Sequence, residues 1–254
     1  MTERKILVVD VGNSRAKFGL FERTGDTVQL LSGTAVSLRR SRNVAVRLAD
    51  WAANHTIDEC VVAGSNPPIV DRLNDEWPES LPRPTIIRSG QRLPVRLMVD
   101  QPDAVGIDRV LNALAAGRLY PKRSVIIADS GTATTVDLIS KTGDFLGGTI
   151  FPGLRLSAYA LHDYTARLPM IDVDAELPHD PRLPGRNTEE AIRSGLYWGQ
   201  LGAIREIIDR LSAACDDAPV VILTGGALNQ LHPHLPDAVG IESLALHGLA
   251  LLSS

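Results

Sequence analysis

Short apolar runs alternate with longer stretches of helical periodicity along the whole chain. Ile6-Leu7-Val8-Val9, Cys60-Val61-Val62-Ala63, Pro84-Thr85-Ile86-Ile87, Val125-Ile126-Ile127-Ala128 and Val220-Val221-Ile222-Leu223 are continuous rather than alternating, the pattern of strands covered on both faces. Helical spacing fills the intervals. It predicts helices around Asn43–Asn54, between the strands at 60 and 84, from about Ile107 to Arg118, near Leu156–Ala166, and from Thr188 to about Leu211. Strands alternating with helices in this way predict an α/β fold.

Two of the apolar runs end in nearly the same polar turn. Asp10-Val11-Gly12-Asn13-Ser14 follows the first strand and leads into Lys17-Phe18-Gly19-Leu20-Phe21; Asp129-Ser130-Gly131-Thr132-Ala133 follows Ala128 and leads into Thr134-Thr135-Val136-Asp137-Leu138-Ile139. Strand, Asp-x-Gly, turn, strand is a hairpin in both places. Each turn carries a carboxylate that can hold a hydrated cation and a glycine that lets backbone approach a ligand. Successive N–H groups and hydroxyls complete a cradle for an anion. One such turn is ordinary turn chemistry; two in matching contexts predict a duplicated phosphate-binding hairpin, able to grip a nucleotide triphosphate from both sides. The chain therefore divides into related halves, 1–118 and 119–254, each within the usual domain range of ~50–250 residues.

In the predicted helix after Gly106, Ile107, Val110, Leu111, Leu114 and Ala115 share one face. At ~100° per residue, Asp108, Arg109 and Asn112 fall in one arc on the opposite side, a candidate site surface. Asn187 with Glu190 forms a capping-box signature at the start of the long helix. Inside that helix Gly195, Gly199 and Gly202 lie on a common side, although glycine costs ~1 kcal/mol relative to alanine in a helix interior. Tight packing within the subunit and a helix-to-helix contact between subunits both account for them. A Pro-rich connector runs from Leu168 to Gly185, and Thr224-Gly225-Gly226 ends the last strand in a turn that can set bare backbone against a flat base or ribose.

Composition narrows the function. With 254 residues, 44% hydrophobic and 22% charged, the chain is an ordinary globular protein, and a net charge of −4 offers no footprint for nucleic acid or an anionic membrane. The Arg39-Arg40-Ser41-Arg42 cluster reads as a solvated loop and His232-Pro233-His234 as surface. Cys60 and Cys215, too few for a disulfide framework, read as buried thiols of a reducing compartment. The N-terminal stretch passes directly into a short apolar run, far from a signal or membrane-spanning segment, which predicts a cytoplasmic protein.

Taken together, Asp10-x-Gly12-Asn13-Ser14-x-x-Lys17, Gly106-Ile107-Asp108-Arg109-x-x-Asn112-Ala113, Asp129-x-Gly131-Thr132-Ala133-x-Thr135-x-Asp137, Gly147-Gly148-x-Ile150-x-Pro152-Gly153, Thr165-Ala166-x-Leu168-Pro169, Asn187-Thr188 and Thr224-Gly225-Gly226 resemble the type III pantothenate kinases, in order and spacing over nearly the whole chain. That family belongs to the acetate and sugar kinase, Hsp70 and actin superfamily. The resemblance implies two ribonuclease-H-like halves, a duplicated actin-like ATPase fold, with the active site in the cleft between them. It implies phosphorylation of pantothenate by ATP, the first step of coenzyme A synthesis, with Mg²⁺ and a monovalent cation such as K⁺ or NH₄⁺, in a homodimer. Carried over by position, Asp10, Val11, Gly12, Asn13, Ser14, Arg15, Ala16 and Lys17 would meet ATP, with Asp10 on Mg²⁺, and Thr132 would reach the nucleotide from the second hairpin. Asp129 would hold the monovalent cation. Gly106, Ile107, Asp108, Arg109 and Thr188 would bind pantothenate, Asp108 being the catalytic proton acceptor. The chain departs from the family at Ile107, where alanine is usual, at Ser14, often threonine, and at Val99, which replaces an aromatic wall of the pantothenate pocket.

These residue types suit phosphoryl transfer. Its transition state is loose and charge-spread, so alignment and neutralisation do most of the work. A lysine and a metal neutralise, an aspartate accepts the hydroxyl proton, and the planar fork of an arginine matches a substrate carboxylate. No Gly-x4-Gly-Lys-Ser/Thr loop and no Gly-x-Gly-x-x-Gly occurs, which removes P-loop and Rossmann readings. A non-catalytic regulatory protein of the same fold, or a kinase for another small hydroxy acid, remains the alternative reading.

Overall fold

A computed structural model describes residues 3–38, 43–173 and 180–253. The Arg39–Arg42 cluster and the middle of the Pro-rich connector lie outside the described residues. The chain forms two compact units, Met1–Leu119 with Ser243–Ser254, and Tyr120–Glu242.

In the first unit β1 (Arg4–Val11), β2 (Arg15–Thr24), β3 (Thr27–Ser37), β4 (Glu59–Gly64) and β5 (Thr85–Ile86) form a sheet of order β3-β2-β1-β4-β5. β1 runs antiparallel to β2 and parallel to β4. Ile6 to Val11 are all buried, as a continuous apolar run requires, whereas edge strand β3 has no buried position. Helices α1 (Val44–Ala52) and α2 (Pro67–Asp75) place Ala45, Leu48, Val70 and Leu73 against Leu7, Val9, Phe18 and Val62. Each fully buried leucine or phenylalanine there contributes ~1.5–3 kcal/mol. Asn43 caps α1, its side chain accepting the Val46 N–H at 3.0 Å. Helix α3 (Ile107–Leu119) also belongs to this unit.

The second unit repeats the plan. β6 (Val125–Ser130), β7 (Ala133–Ile139), β8 (Phe145–Pro152), β9 (Val220–Thr224) and β10 (Val239–Gly240) take the order β10-β9-β6-β7-β8, with β6 antiparallel to β7 and parallel to β9. Read from the other edge, the order and pairing senses are those of the first sheet, so the two Asp-x-Gly turns occupy equivalent places in two ribonuclease-H-like sheets. Helices α4 (Leu154–Asp163) and α5 (Thr188–Ala213) cover Ile126, Ala128, Val136 and Leu223 with Leu154, Ala158, Tyr197, Leu201 and Ile204. A short helix α6 (Leu228–Leu231) follows the glycine turn after β9.

The C-terminal segment corrects the expected division. Residues from Ser243 onward belong with the first unit because α7 (Leu244–Ala250) packs on α3 and β1. Gly248 makes this possible: a Cβ there would drive into the Leu111 carbonyl. Cys60 is buried as expected, and burial pushes its thiol up to about 12. Cys215 is only half-buried, its Sγ donating to the Leu211 carbonyl at 3.3 Å. His232-Pro233-His234 is not idle surface either. His232 Nε2 lies 2.9 Å from the Ala238 carbonyl, and the His234 ring meets Trp198 and Tyr197 edge-on. Among the described residues no helix is long and apolar enough to cross a membrane.

Candidate active site

The first hairpin turns at Gly12-Asn13-Ser14, between β1 and β2. The Gly12 N–H donates to the Arg15 carbonyl at 3.0 Å, and the Ser14 carbonyl accepts the Leu38 N–H at 3.0 Å, which ties the turn to the end of β3. Asp10 and Lys17 are paired across the ladder, so both side chains leave the same face. The Lys17 ammonium lies 3.9 Å from Asp10 Oδ2, and the Asp10 side chain is only 6% exposed against 25% for Lys17. A carboxylate so deeply placed requires compensation, and the register supplies a lysine.

The second hairpin is one residue tighter. Gly131 N–H donates to Ala133 at 3.0 Å, and the ladder partner of Asp129 is Thr135, not a lysine. Gly131, Thr132 and Ala133 are exposed. Two distant glycines back this turn. Gly153, which opens α4, donates its N–H to the Thr132 carbonyl at 3.1 Å, and a Cβ on it would overlap the Gly131 carbonyl. Gly225 has φ of +95°, and a Cβ there would enter the space of the Asp129 Oδ1 atom and lie 2.6 Å from the Ser130 carbonyl. The Ser130 carbonyl also accepts the Ala227 N–H at 3.0 Å. Gly225 is thus required by its positive φ and by the Asp129 carboxylate together. Gly148, without a positive φ, leaves no room for a Cβ beside the buried Asp137 and the Val136 carbonyl.

At the start of α3 the Gly106 carbonyl accepts the N–H groups of Arg109 and Val110 at 3.1 and 3.3 Å. Asp108 folds back on this end, Oδ1 accepting the Arg109 N–H at 3.0 Å, where the positive end of the helix dipole favours a carboxylate. A Cβ on Gly106 would lie 2.6 Å from that oxygen, so the glycine makes room for the Asp108 carboxylate. The predicted polar arc is corrected: Asn112 is buried at 1% exposure, and with Ala113 and Ala116 it widens the covered face of α3. Asp108 and Arg109 remain half-exposed while Ile107 is buried. Val99 is half-buried in the loop before α3.

Thr188 is exposed at the first turn of α5. Asn187 caps the helix, Oδ1 accepting the Glu190 N–H at 2.9 Å, while Glu190 accepts the Arg186 N–H at 2.8 Å and the Asn187 amide at 3.0 Å. The Arg186 N–H, first, holds the Glu190 carboxyl below its ordinary range. The candidate residues thus fall into two sets, Asp10 to Lys17 with Gly106 to Arg109 in the first unit and Asp129, Thr132 and Thr188 in the second. Among the described residues no cluster of three or more His, Cys, Asp or Glu is arranged to hold a metal.

Sequence reasoning missed one polar group. Gln200, 6% exposed in the middle of α5, reaches the buried hydroxyls of Ser130 and Thr134 beneath the second turn. Its only sequence signal is a lone amide among apolar helix positions.

Comparison with known proteins agrees with this arrangement. The chain resembles, in fold, a putative 2-dehydro-3-deoxygalactonokinase from Sinorhizobium meliloti, with a TM-score of 0.57 at 13% identity over 96% of this chain and 97% of that one. It also resembles an activator of 2-hydroxyisocaproyl-CoA dehydratase from Clostridium difficile, at 0.52 and 13% over 97% and 93%. In sequence it is 31% identical to the type III pantothenate kinase of Pelobacter propionicus over 97% of this chain and 98% of that relative. Identity with the type III pantothenate kinase of Geobacter sulfurreducens is 32% over 97% of each. The family model for type III pantothenate kinase matches residues 6–210. Two equivalent sheets with Asp-x-Gly turns, a match spanning both units and relatives aligned end to end lead to one conclusion: the chain belongs to the type III pantothenate kinase family.

Proposed function

We propose that the chain transfers the γ-phosphoryl group of ATP to the primary hydroxyl of pantothenate, giving 4'-phosphopantothenate and ADP at the first step of coenzyme A synthesis. The observation that carries this reading is the pair of Asp-x-Gly turns at equivalent places in two sheets of a member of this family. The hydroxyl oxygen forms the new bond to phosphorus as the bond from phosphorus to the β,γ-bridging oxygen breaks, and the hydroxyl proton passes to Asp108. Gly106, Ile107, Arg109 and Thr188 bind pantothenate, Arg109 meeting its carboxylate as a planar fork. Val11, Gly12, Asn13, Ser14, Arg15 and Ala16 bind ATP together with Lys17, whose ammonium offsets charge spread over the phosphoryl oxygens. Thr132 meets the nucleotide from the second turn.

Asp10 would hold Mg²⁺. This cation binds through one or two carboxylates plus substrate phosphates and water, a demand that a single buried carboxylate at the turn meets. Asp129, whose ladder partner is a threonine, would hold a monovalent cation that relieves repulsion between its carboxylate and the phosphates. When bound, the cations supply charge neutralisation. We also read the protein as a homodimer: among the described residues a Cβ at Gly195, Gly199 or Gly202 would meet nothing within 4 Å, so packing inside the subunit does not account for that bare helix side.

The test is ADP release with ATP and pantothenate, with related hydroxy acids as alternative acceptors because of Val99. Rates should require pantothenate, rise with K⁺ or NH₄⁺ over a bulky organic cation, and lose that response in Asp129→Ala. Asp108→Asn should lower kcat by ~10²–10⁴. Equal rates with every monovalent cation would return Asp129 to Mg²⁺ or the fold, and a preference for another acceptor would replace pantothenate.

A further inference from the structure

We propose that Gln200 is a positioning residue for the second phosphate turn, an inference that rests on the reading of that turn as a nucleotide site. Helix α5 presents Ile192, Leu196, Tyr197, Leu201 and Ile204 to the sheet, and Gln200 is an amide within this apolar layer. A buried amide without partners costs several kcal/mol, so an apolar residue would serve the core better. What the amide gains is a grip on the hairpin. Nε2 donates to Thr134 Oγ1 and lies 3.4 Å from Ser130 Oγ, and the two hydroxyls lie 3.3 Å apart. Ser130 and Thr134 are cross-strand partners, 1% and 0% exposed. They close the base of the turn directly below its exposed tip, Gly131-Thr132-Ala133.

Hydroxyls can donate or accept, so the triad closes whichever way the amide is oriented. Ser130 is also the residue after Asp129, and its carbonyl holds the Ala227 N–H. A shift of the Ser130 backbone would therefore carry both the Asp129 carboxylate and the backbone that faces the anion. The N–H bond from Gly153 to Thr132 fixes the tip from one side; Gln200 fixes the base from below. None of these hydrogen bonds involves Gly106 to Arg109 or Thr188, at the far N-terminal end of α5, so the effect falls on the nucleotide.

Gln200→Met keeps length and removes the hydrogen bonds. It should raise KM for ATP about tenfold, the scale at which small misplacements of a binding group act, and leave KM for pantothenate unchanged. The triple variant Gln200→Met, Ser130→Ala, Thr134→Val turns the triad into an apolar layer. It should recover thermal stability lost in the single variant while KM for ATP stays raised, a split that a purely structural role does not produce. Thr132→Ala, tested alongside, reports on the turn itself. If Thr132→Ala weakens ATP while both Gln200 variants bind ATP normally, or if KM for both substrates rises equally, Gln200 only fills the core and the proposal is overturned. If Thr132→Ala leaves KM for ATP unchanged, the turn is not a nucleotide site and the proposal falls with that reading.

Discussion

The Asp10–Lys17 pair is unequal in depth, and that inequality fixes which substitution hurts. At 3.9 Å the attraction is worth ~4 kcal/mol with an effective dielectric near 20, before desolvation is charged against it. Lys17→Met leaves the Asp10 carboxylate, 6% exposed, without that countercharge. Breaking a fully buried pair costs ~3–5 kcal/mol; because Lys17 is 25% exposed and water already screens it, the expected loss is about 2–3 kcal/mol. Asp10→Asn removes the deeper charge and lets the lysine turn outward, so its cost should stay below about 1 kcal/mol. Thermal unfolding of the ligand-free protein at neutral pH, at ~2–4 °C per kcal/mol for a chain of this size, should then show a drop of roughly 5–10 °C for Lys17→Met and a few degrees at most for Asp10→Asn. The double variant should recover most of the difference. Equal losses for the two single variants, or a larger loss for Asp10→Asn, would refute the argument that burial of Asp10 sets the cost.

Gly106→Ala should turn the Asp108 carboxylate away from the Arg109 N–H and lower kcat by ~10–100-fold with far-UV circular dichroism unchanged; an unaltered kcat would show that this orientation does not matter. His247, packed edge-on against Phe21, is held below its ordinary 6.5 by burial. The unfolded chain therefore binds the proton first, and stability is full above about pH 6.5 and falls as pH drops through that value toward the folded pKa. His247→Leu should flatten the fall of the melting temperature as pH drops below 6.5, and an unchanged slope would assign it to other groups such as Asp217, which the Ser124 hydroxyl holds below its ordinary carboxylate range. Asn187→Ala should cost ~1 kcal/mol by removing the cap of α5, measurable by urea unfolding.

Local features are legible in the sequence itself. The apolar run 6–9 became the buried centre of β1, the Asn187–Glu190 pair capped α5, and both Asp-x-Gly turns are hairpin tips. What escaped depends on contacts distant in sequence. A helical wheel puts Asn112 among the polar residues of α3, but α7, arriving from the far end of the chain, helps to cover that helix. The same return moves residues 243 onward into the first unit. Gly153 and Gly225 read as turn and loop glycines because their partners, the Thr132 carbonyl and the Asp129 carboxylate, lie in another element. Gln200 is invisible for the same reason: only pairing of Ser130 with Thr134 beneath α5 gives its amide a purpose.

Identifying the product tests phosphorylation of pantothenate by this chain without an intermediary. Purified protein incubated with ATP, Mg²⁺, K⁺ and pantothenate should give ADP and 4'-phosphopantothenate in equal amounts by mass spectrometry, with both formed ~10²–10⁴-fold more slowly by Asp108→Asn. ADP released without phosphorylated pantothenate, or pantothenate recovered unchanged with active wild-type protein and saturating ATP, would contradict the account.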